Sequence, residues 1–509
     1  MAAERLAHAA GAHDAATEAG DREPPGAVPP YPMRLPDALP PRWRRVACPP
    51  GVLPAAGIAG VVAAVAVPID RPGLGWLPAG VAVAGAVTVV HRRARSAVPE
   101  GAAAQRRPWE RLWWAGAAAA LLAVGAFRAA PWLFALCVVA AAVAGSLAVV
   151  GRRSVYGVLY DAIAVPWAAA GGLAWAFGAL ARVRAGAGSR PRRVGISAAV
   201  TAALLVVFVP LLGSADATFG ALVGGLVPRW DAGSVVAWLA VFAAAAAASI
   251  GAMYLLAGPP PEAGARVRVP GRTWSRAEWG LPVGALTVLF AAFVAAQLVA
   301  LFGGDDYVQR TAGLTYAEYA RSGFWQLSAV TVLTLAVILS VLRWAAREAA
   351  ADRRWLRVLL CAVTVLTLVI LASALGRMWT YQQAYGFTVL RLLVETCELW
   401  LGVVYVLVLV AVVRLELTWL PRVTVGTAMA TLLALATLNP EGLIADRNID
   451  RWQHGEELDT GYLAGLSADI VPAVDRLPAP MRADLRDRLR HRLDDDTWNS
   501  WNLSRSRAR

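Results

Sequence analysis

Three ionisable residues share one helical stripe inside an apolar run. In TVLRLLVETCELWLGVVYVLVLVAVVR (388–414), Arg391, Glu395 and Glu398 stand at i, i+4 and i+7. If the run crosses a membrane, Glu398 lies about 15 Å below its outer end at 1.5 Å per residue, close to the midplane. Insertion there costs an ionisable side chain roughly 2.5–3.5 kcal/mol, so the three must turn into a bundle, pair with one another or line a hydrated cavity. Two readings stay open. The first is a proton or cation site, with one carboxyl kept neutral by desolvation and by its like-charged neighbour. The second is structural: Arg391 pairs with Glu395 near the outer surface while Glu398 locks two helices together.

Two further segments gather polar side chains. GGDDYVQRTAGLTYAEYARSG (303–323) carries Asp305, Asp306 and Glu318 beside Tyr307, Arg310, Tyr316 and Arg321. A calcium loop needs several oxygen ligands at regular spacing, which this stretch lacks, so it predicts a solvated loop with a short amphipathic helix and no metal. RMWTYQQAYG places Arg377, Tyr381 and Tyr385 just above Arg391, and the two loops together predict an outer vestibule. HExxH, GxSxG and GxxxxGK[ST] are all missing, and the five histidines are dispersed. No cofactor is implied.

The elements that must position these residues are membrane helices. With 58% hydrophobic and 16% charged residues and a mean hydropathy of +0.53, the chain is more apolar and less charged than soluble proteins, at about 45–50% and about 25%. A helix crossing a core of about 30 Å needs about 20 mostly apolar residues. Such runs lie near 51–68, 73–90, 111–127, 131–150, 194–213, 234–257, 281–302, 324–342, 355–376, 388–413 and 423–438. The reading is an all-α, polytopic integral membrane helical bundle of about 11 transmembrane helices. The segment 154–181, with Asp161, Pro166 and a Gly pair, reads as an interfacial or re-entrant helix pair, because crossing would carry the arginines at 182–193 to the far side.

All 48 basic residues are Arg, and they sit in clusters between apolar runs. That pattern marks topology and excludes a nucleic-acid-tracking stripe. With the N-terminus in the cytoplasm, 28 arginines flank the inner side against six in the short outer loops, and the C-terminus falls outside. Lysine is absent while Ala, Arg and Gly abound, which points to a GC-rich bacterial source and a multi-pass protein of the inner (cytoplasmic) membrane. The four cysteines, Cys48, Cys137, Cys361 and Cys397, are scattered and read as packing residues.

The expected organisation is a disordered cytoplasmic tail (1–45), a first four-helix membrane segment (46–153), the interfacial helices with a basic loop (154–193), a membrane domain of seven spans (194–438) and a polar extracytoplasmic segment (439–509). In the last, Leu485, Leu489 and Leu493 line one face of a charged helix, which predicts an amphipathic helix covering a small apolar surface.

Several stretches resemble a bacterial membrane family called domain of unknown function 4173, with its relative 4153. They are YVQRTAGLTYAEYARSGFWQL (Tyr307 to Leu327), the R(M)W-x-Y-x3-YG-x-T-x2-R run from Arg377 to Arg391, NP-x4-A-x2-N from Asn439 to Asn448, YL-x2-LS-x-D from Tyr462 to Asp469, and SADATF (Ser214 to Phe219). The resemblance covers roughly 190–475. It implies a multi-pass membrane protein with no assigned activity, cofactor or catalytic residue, and its motif residues cluster on the side that the arginine bias marks as outer.

Three function classes remain. The leading one is an envelope sensor or scaffold whose outer face binds a ligand or an envelope protein. The second is an ion- or proton-coupled transporter using the carboxylates of the tenth span, disfavoured by the lack of visible internal repetition. The third, an enzyme, has no motif in its favour. The lipid bilayer is the one certain partner, and the sequence sets no oligomeric state.

Overall fold

The computed structural model describes residues 46–96, 108–151, 157–186, 232–260, 273–302, 324–493 and 496–509, with isolated positions 201, 204 and 208. Long helices follow one another: α1 (Val52–Ala66), α2 (Trp76–Ser96), α3 (Pro108–Phe127), α4 (Pro131–Val150), α5 (Val158–Gly186), α6 (Ala232–Ala257), α7 (Arg276–Phe302), α8 (Phe324–Trp344), α9 (Ala350–Tyr385), α10 (Val389–Arg414) and α11 (Leu420–Leu438). A C-terminal group of short helices closes the chain: α12 (Pro440–Gln453), α13 (Thr460–Gly465), α14 (Val471–Val474), α15 (Ala479–Arg490) and α16 (Leu503–Ala508). Among the described residues there is no β-strand, only a bridge between Trp274 and Ala345.

Among the described residues eight helices, α4 to α11, are long and apolar enough to cross a membrane. α1 is apolar but only 15 residues long. α2 ends in Arg92, Arg93 and Arg95, and α3 begins with Glu110 and Arg111. Ten of the eleven apolar runs coincide with helices, and the run at 194–213 lies outside the described residues except at positions 201, 204 and 208.

The contacts sort the connections onto two ends of the bundle. α6 runs antiparallel to α1: Gly60 abuts the Phe242 ring, and Gly258 lies against Val46. The starts of α7 and α9 meet where Arg276 pairs with Asp352, and the α8–α9 connection touches the end of α10 where Arg347 donates to the Leu415 carbonyl at 3.0 Å. This is the basic end. The opposite, cap end holds the α1–α2, α3–α4 and α9–α10 turns and the whole C-terminal group.

The expected helix pair over 154–181 is one continuous helix, α5. Its Gly171 and Gly172 do not break it; they admit Tyr254 and Ile250 of α6 to close contact. Ahead of Pro166 the backbone ladder opens: the Ser146 hydroxyl donates to the Asp161 carbonyl at 2.7 Å and accepts from the Val165 N–H at 3.1 Å, standing inside one i→i−4 bond. Asp161 pairs at 3.4 Å with Arg422, at the start of α11, and Trp175 donates to the Val46 carbonyl at 3.0 Å. Both partners belong to the basic end, yet residues 161 and 175 are separated by about 21 Å of helix. Two positions on α5 that far apart thus both contact residues of the basic end.

The core of the second half packs α7, α8, α9 and α10 around Ile338, Leu356, Ile370, Tyr405 and Val408, all but fully buried. α9, at 36 residues, is the longest element described. The α3–α4 hairpin and α11 form another core around Leu121, Leu133 and Leu147.

Where α5 crosses α6, a side chain at Gly251 has no room: a Cβ there would lie 2.6 Å from the Val165 carbonyl and 3.0 Å from the Ala169 nitrogen, both backbone atoms. Gly251→Ala is expected to cost about 1–3 kcal/mol through forced separation of the two helices. Gly145→Ala, with nothing within 4 Å, should leave stability unchanged or slightly raised. Thermal unfolding of the purified protein in detergent, followed by tryptophan emission, separates the two; equal midpoints would refute the close-packing assignment.

Candidate functional site

The stripe on α10 is divided among three different partners. Thr388 caps the helix, its hydroxyl accepting from the Arg391 N–H at 3.4 Å. The Arg391 guanidinium turns back over the α9–α10 turn, donating to the Tyr385 carbonyl at 2.9 Å and to the Gly386 carbonyl, and stacking 4.5 Å from the centre of the Tyr381 ring. One turn deeper, Glu395 accepts from the Gln382 amide at 3.0 Å. Deeper still, Glu398 is 5% exposed and accepts from the Ser328 hydroxyl of α8 at 2.5 Å. Among the described contacts there is no ion pair between Arg391 and either glutamate, so the expected Arg391–Glu395 pairing is replaced by carbonyl and aromatic partners that the turn supplies. Two acceptor oxygens of this group, Glu398 Oε2 and Gln382 Oε1, are buried without a hydrogen-bond partner.

The outer-face candidates part company. Asp305, Asp306, Tyr307, Arg310, Tyr316, Glu318 and Arg321 lie outside the described residues. Tyr381 and Tyr385 pack ring against ring at 5.0 Å beside Arg391, with Arg377 one turn before them. Asn439 and Asn448 are internal fasteners. Asn439 caps α12 and donates to the Asp469 carbonyl at 2.9 Å. Asn448 brackets Phe387, accepting from its N–H and donating to its carbonyl, both at 2.9 Å.

These fasteners belong to a cap. Residues 439–493 and 496–509 fold over the cap end around Ile444, Ile449, Ile470, Val474 and Leu485, and the amphipathic Leu485, Leu489 and Leu493 face sits in this core. The buried Asp469 carboxylate accepts from the N–H groups of Ala129 and Ala130 at 2.9–3.0 Å, tying the cap to the α3–α4 turn. Buried Glu441 accepts from the Trp132 indole at 2.9 Å and from the Ser467 N–H at 2.6 Å. The Asn502 side chain donates to the Gly125 and Arg128 carbonyls, and Leu74 and Gly75 of the α1–α2 turn donate to Trp501 and Asn499. Tyr462 accepts from the Val389 N–H at 2.8 Å; burial pushes its hydroxyl above the ordinary tyrosine value, so it remains neutral at physiological pH.

Between cap and bundle lies a cleft of about 640 Å³ bordered by Arg71, Trp132, Glu441, Tyr462, Arg492 and Arg505. Arg505 pairs with Asp496 at 3.0 Å; burial lowers its guanidinium from the usual arginine value and the Asp496 charge opposes that. A profile for the family described as "Domain of unknown function (DUF4153)" matches residues 116–477. The chain belongs to that family. The DUF4153 match begins within α3, well before the landmarks read from the sequence, and ends in the cap at Leu477. No curated protein and no solved structure matches the chain.

Sequence reasoning missed Asp161, Glu110 and Arg422 as a group, which link α3, α5 and α11 at the basic end. It also missed Ser328, Gln382, Glu441 and Asp496, since a single polar residue gives no signal before its partner in the fold is known. Among the described residues no cluster of metal-ligating side chains occurs.

Asp469→Ala would leave two buried N–H groups without an acceptor and is expected to destabilise the cap by about 2–4 kcal/mol. Asp446→Ala, which removes an exposed pair with Arg476, should stay within about 1 kcal/mol of wild type. Limited proteolysis of the cap reads the difference; identical digestion of all three proteins would show that Asp469 does not hold it.

Proposed function

We propose that this chain is a multi-pass protein of a bacterial cytoplasmic membrane whose cap end faces outward and serves as the binding face of an envelope sensor or scaffold. The observation that carries this reading is the cleft between cap and bundle. The described residues after Leu438 are folded onto three helix turns by buried polar contacts, and the cleft between them brings arginines and aromatic residues from both layers together.

The orientation rests on arginine: the connections at the basic end collect Arg92, Arg93, Arg95, Arg343, Arg347, Arg353, Arg354 and Arg422, which resist translocation. Residues 161 and 175 of α5 contact the basic end, and α6 begins at the cap end. The apolar run 194–213 is, by its length and composition in the sequence, suited to cross. With α1 to α4 and α6 to α11 this reading counts eleven crossings, three of them by the less apolar or shorter helices α1 to α3.

A reporter active only outside the cytoplasm, fused after Arg509, is expected to be active, and one active only inside it to be silent. A photo-crosslinking residue in place of Leu493, beside the cleft, is expected to give a discrete adduct in cells at native expression, lost when Arg492→Glu is added. The same residue in place of exposed Trp498 should give none. A cytoplasmic C-terminus, or no adduct specific to the cleft, would sink the reading.

A further inference from the structure

Among the buried polar atoms without a hydrogen-bond partner, two acceptors stand close together along the polar stripe of α10 and its α9 neighbour. Glu398 lies nine residues into α10, about 14 Å along it at 1.5 Å per residue, and is almost wholly buried with no cation beside it. One of its oxygens takes the Ser328 hydroxyl; the other has no donor. Gln382, fully buried on α9, spends its amide N–H on Glu395 and leaves its own carbonyl oxygen without a donor. Buried polar atoms in folded proteins are nearly always satisfied, and each orphan costs about 1–3 kcal/mol. Both orphans here are acceptors, and what is lacking is a donated hydrogen.

Arg391 cannot supply it, being held by the turn carbonyls and Tyr381. The Tyr405 hydroxyl donates to the Thr331 carbonyl at 2.5 Å. Thr331 in turn bonds the Ser328 carbonyl, and Thr334, Thr364 and Thr367 bond the carbonyls of their own helices. The ionisable neighbours are Glu395, Cys397 and Tyr405 on α10 and Arg377, Tyr381 and Tyr385 on α9. Arg343 of α8, Arg276 and Glu278 of α7 and Arg422 of α11 all sit at the basic end; Glu441, Asp446, Arg447, Asp450 and Arg451 of α12 sit in the cap. Polar side chains thus step inward from the cap end, Arg391 and Tyr381 first, then Glu395 with Gln382, then Glu398 with Ser328. They continue to Tyr405, about 24 Å along α10.

We propose that Glu398 is an intramembrane proton-binding site, reached from the cap end past Glu395 and Gln382, that takes up and releases one proton on its unpartnered oxygen. The carboxylate and a proton from water combine to the neutral acid, which gives that oxygen a hydrogen to donate; release restores the anion and the proton returns to water. Because Ser328 holds the other oxygen, the exchange occurs at the contact between α8 and α10. The site is independent of the cap cleft, and neither needs the other.

The test is infrared difference spectroscopy of the full chain in nanodiscs, cycled between mildly acidic and alkaline buffer. Wild type is expected to show a carboxylic-acid carbonyl band that is lost in Glu398→Gln and kept in Glu441→Gln. Ser328→Ala should keep the band but shift its frequency, because the hydrogen bond to the carboxyl is gone. That variant also serves if Glu398→Gln does not fold. Absence of the band from wild type, its persistence at full strength in Glu398→Gln, or an unshifted band in Ser328→Ala would each overturn the proposal.

Discussion

The cap depends on one buried carboxylate. Asp469 accepts from two consecutive backbone N–H groups, those of Ala129 and Ala130, at the point where α3 ends and α4 begins. Those groups belong to a helix start, where N–H groups have no partner within the helix and the peptide dipoles favour negative charge. A carboxylate there satisfies the backbone and is itself stabilised. The Asn439 side chain holds the carbonyl of the same Asp469 from within the cap, and Glu441 accepts from Trp132 in the first turn of α4, so the N–H groups of Ala129, Ala130 and the Trp132 indole fix the cap to one hairpin. The α1–α2 and α9–α10 turns then join it through Asn499, Trp501 and Asn448.

This arrangement changes the meaning of several residues that the sequence singles out. Asn439, Asn448, Tyr462 and Asp469 are polar residues of the segment after the last apolar run, a placement that suggests partner binding when only the sequence is at hand. In the fold they bind the chain to itself. Membrane helices gain little from hydrophobic association once inside lipid, so buried hydrogen bonds and close approach of small residues hold such bundles together. Gly251 against Val165, Gly60 against Phe242 and the Ser146 hydroxyl inside α5 follow that principle in the first half of the chain.

Helix positions were legible because length and hydropathy suffice for them: the runs at 131–150, 388–413 and 423–438 match α4, α10 and α11 to within three residues. The continuity of α5 was not, since a proline and two glycines look like interruptions until the hydroxyl of Ser146 and the side chains of Ile250 and Tyr254 are seen to fit them. The stripe of Arg391, Glu395 and Glu398 was visible from its spacing, but the division of its partners was not. Those partners come from α8 and from the end of α9, and no periodicity within α10 encodes them. The Leu485, Leu489 and Leu493 face announced an amphipathic helix but not which surface it covers.

α9 is long enough to carry one further consequence. Its 36 residues make a rod of about 54 Å, against a hydrocarbon core of about 30 Å. The rod is gripped at both extremities, by Arg276 on Asp352 at one end and by Arg451 on the carbonyls of Gln383 and Ala384 at the other. An α-helix resists change of length along its axis, so these two contacts are held at a fixed separation. In mechanical terms α9 is a strut, clamped at the cap and at the basic end.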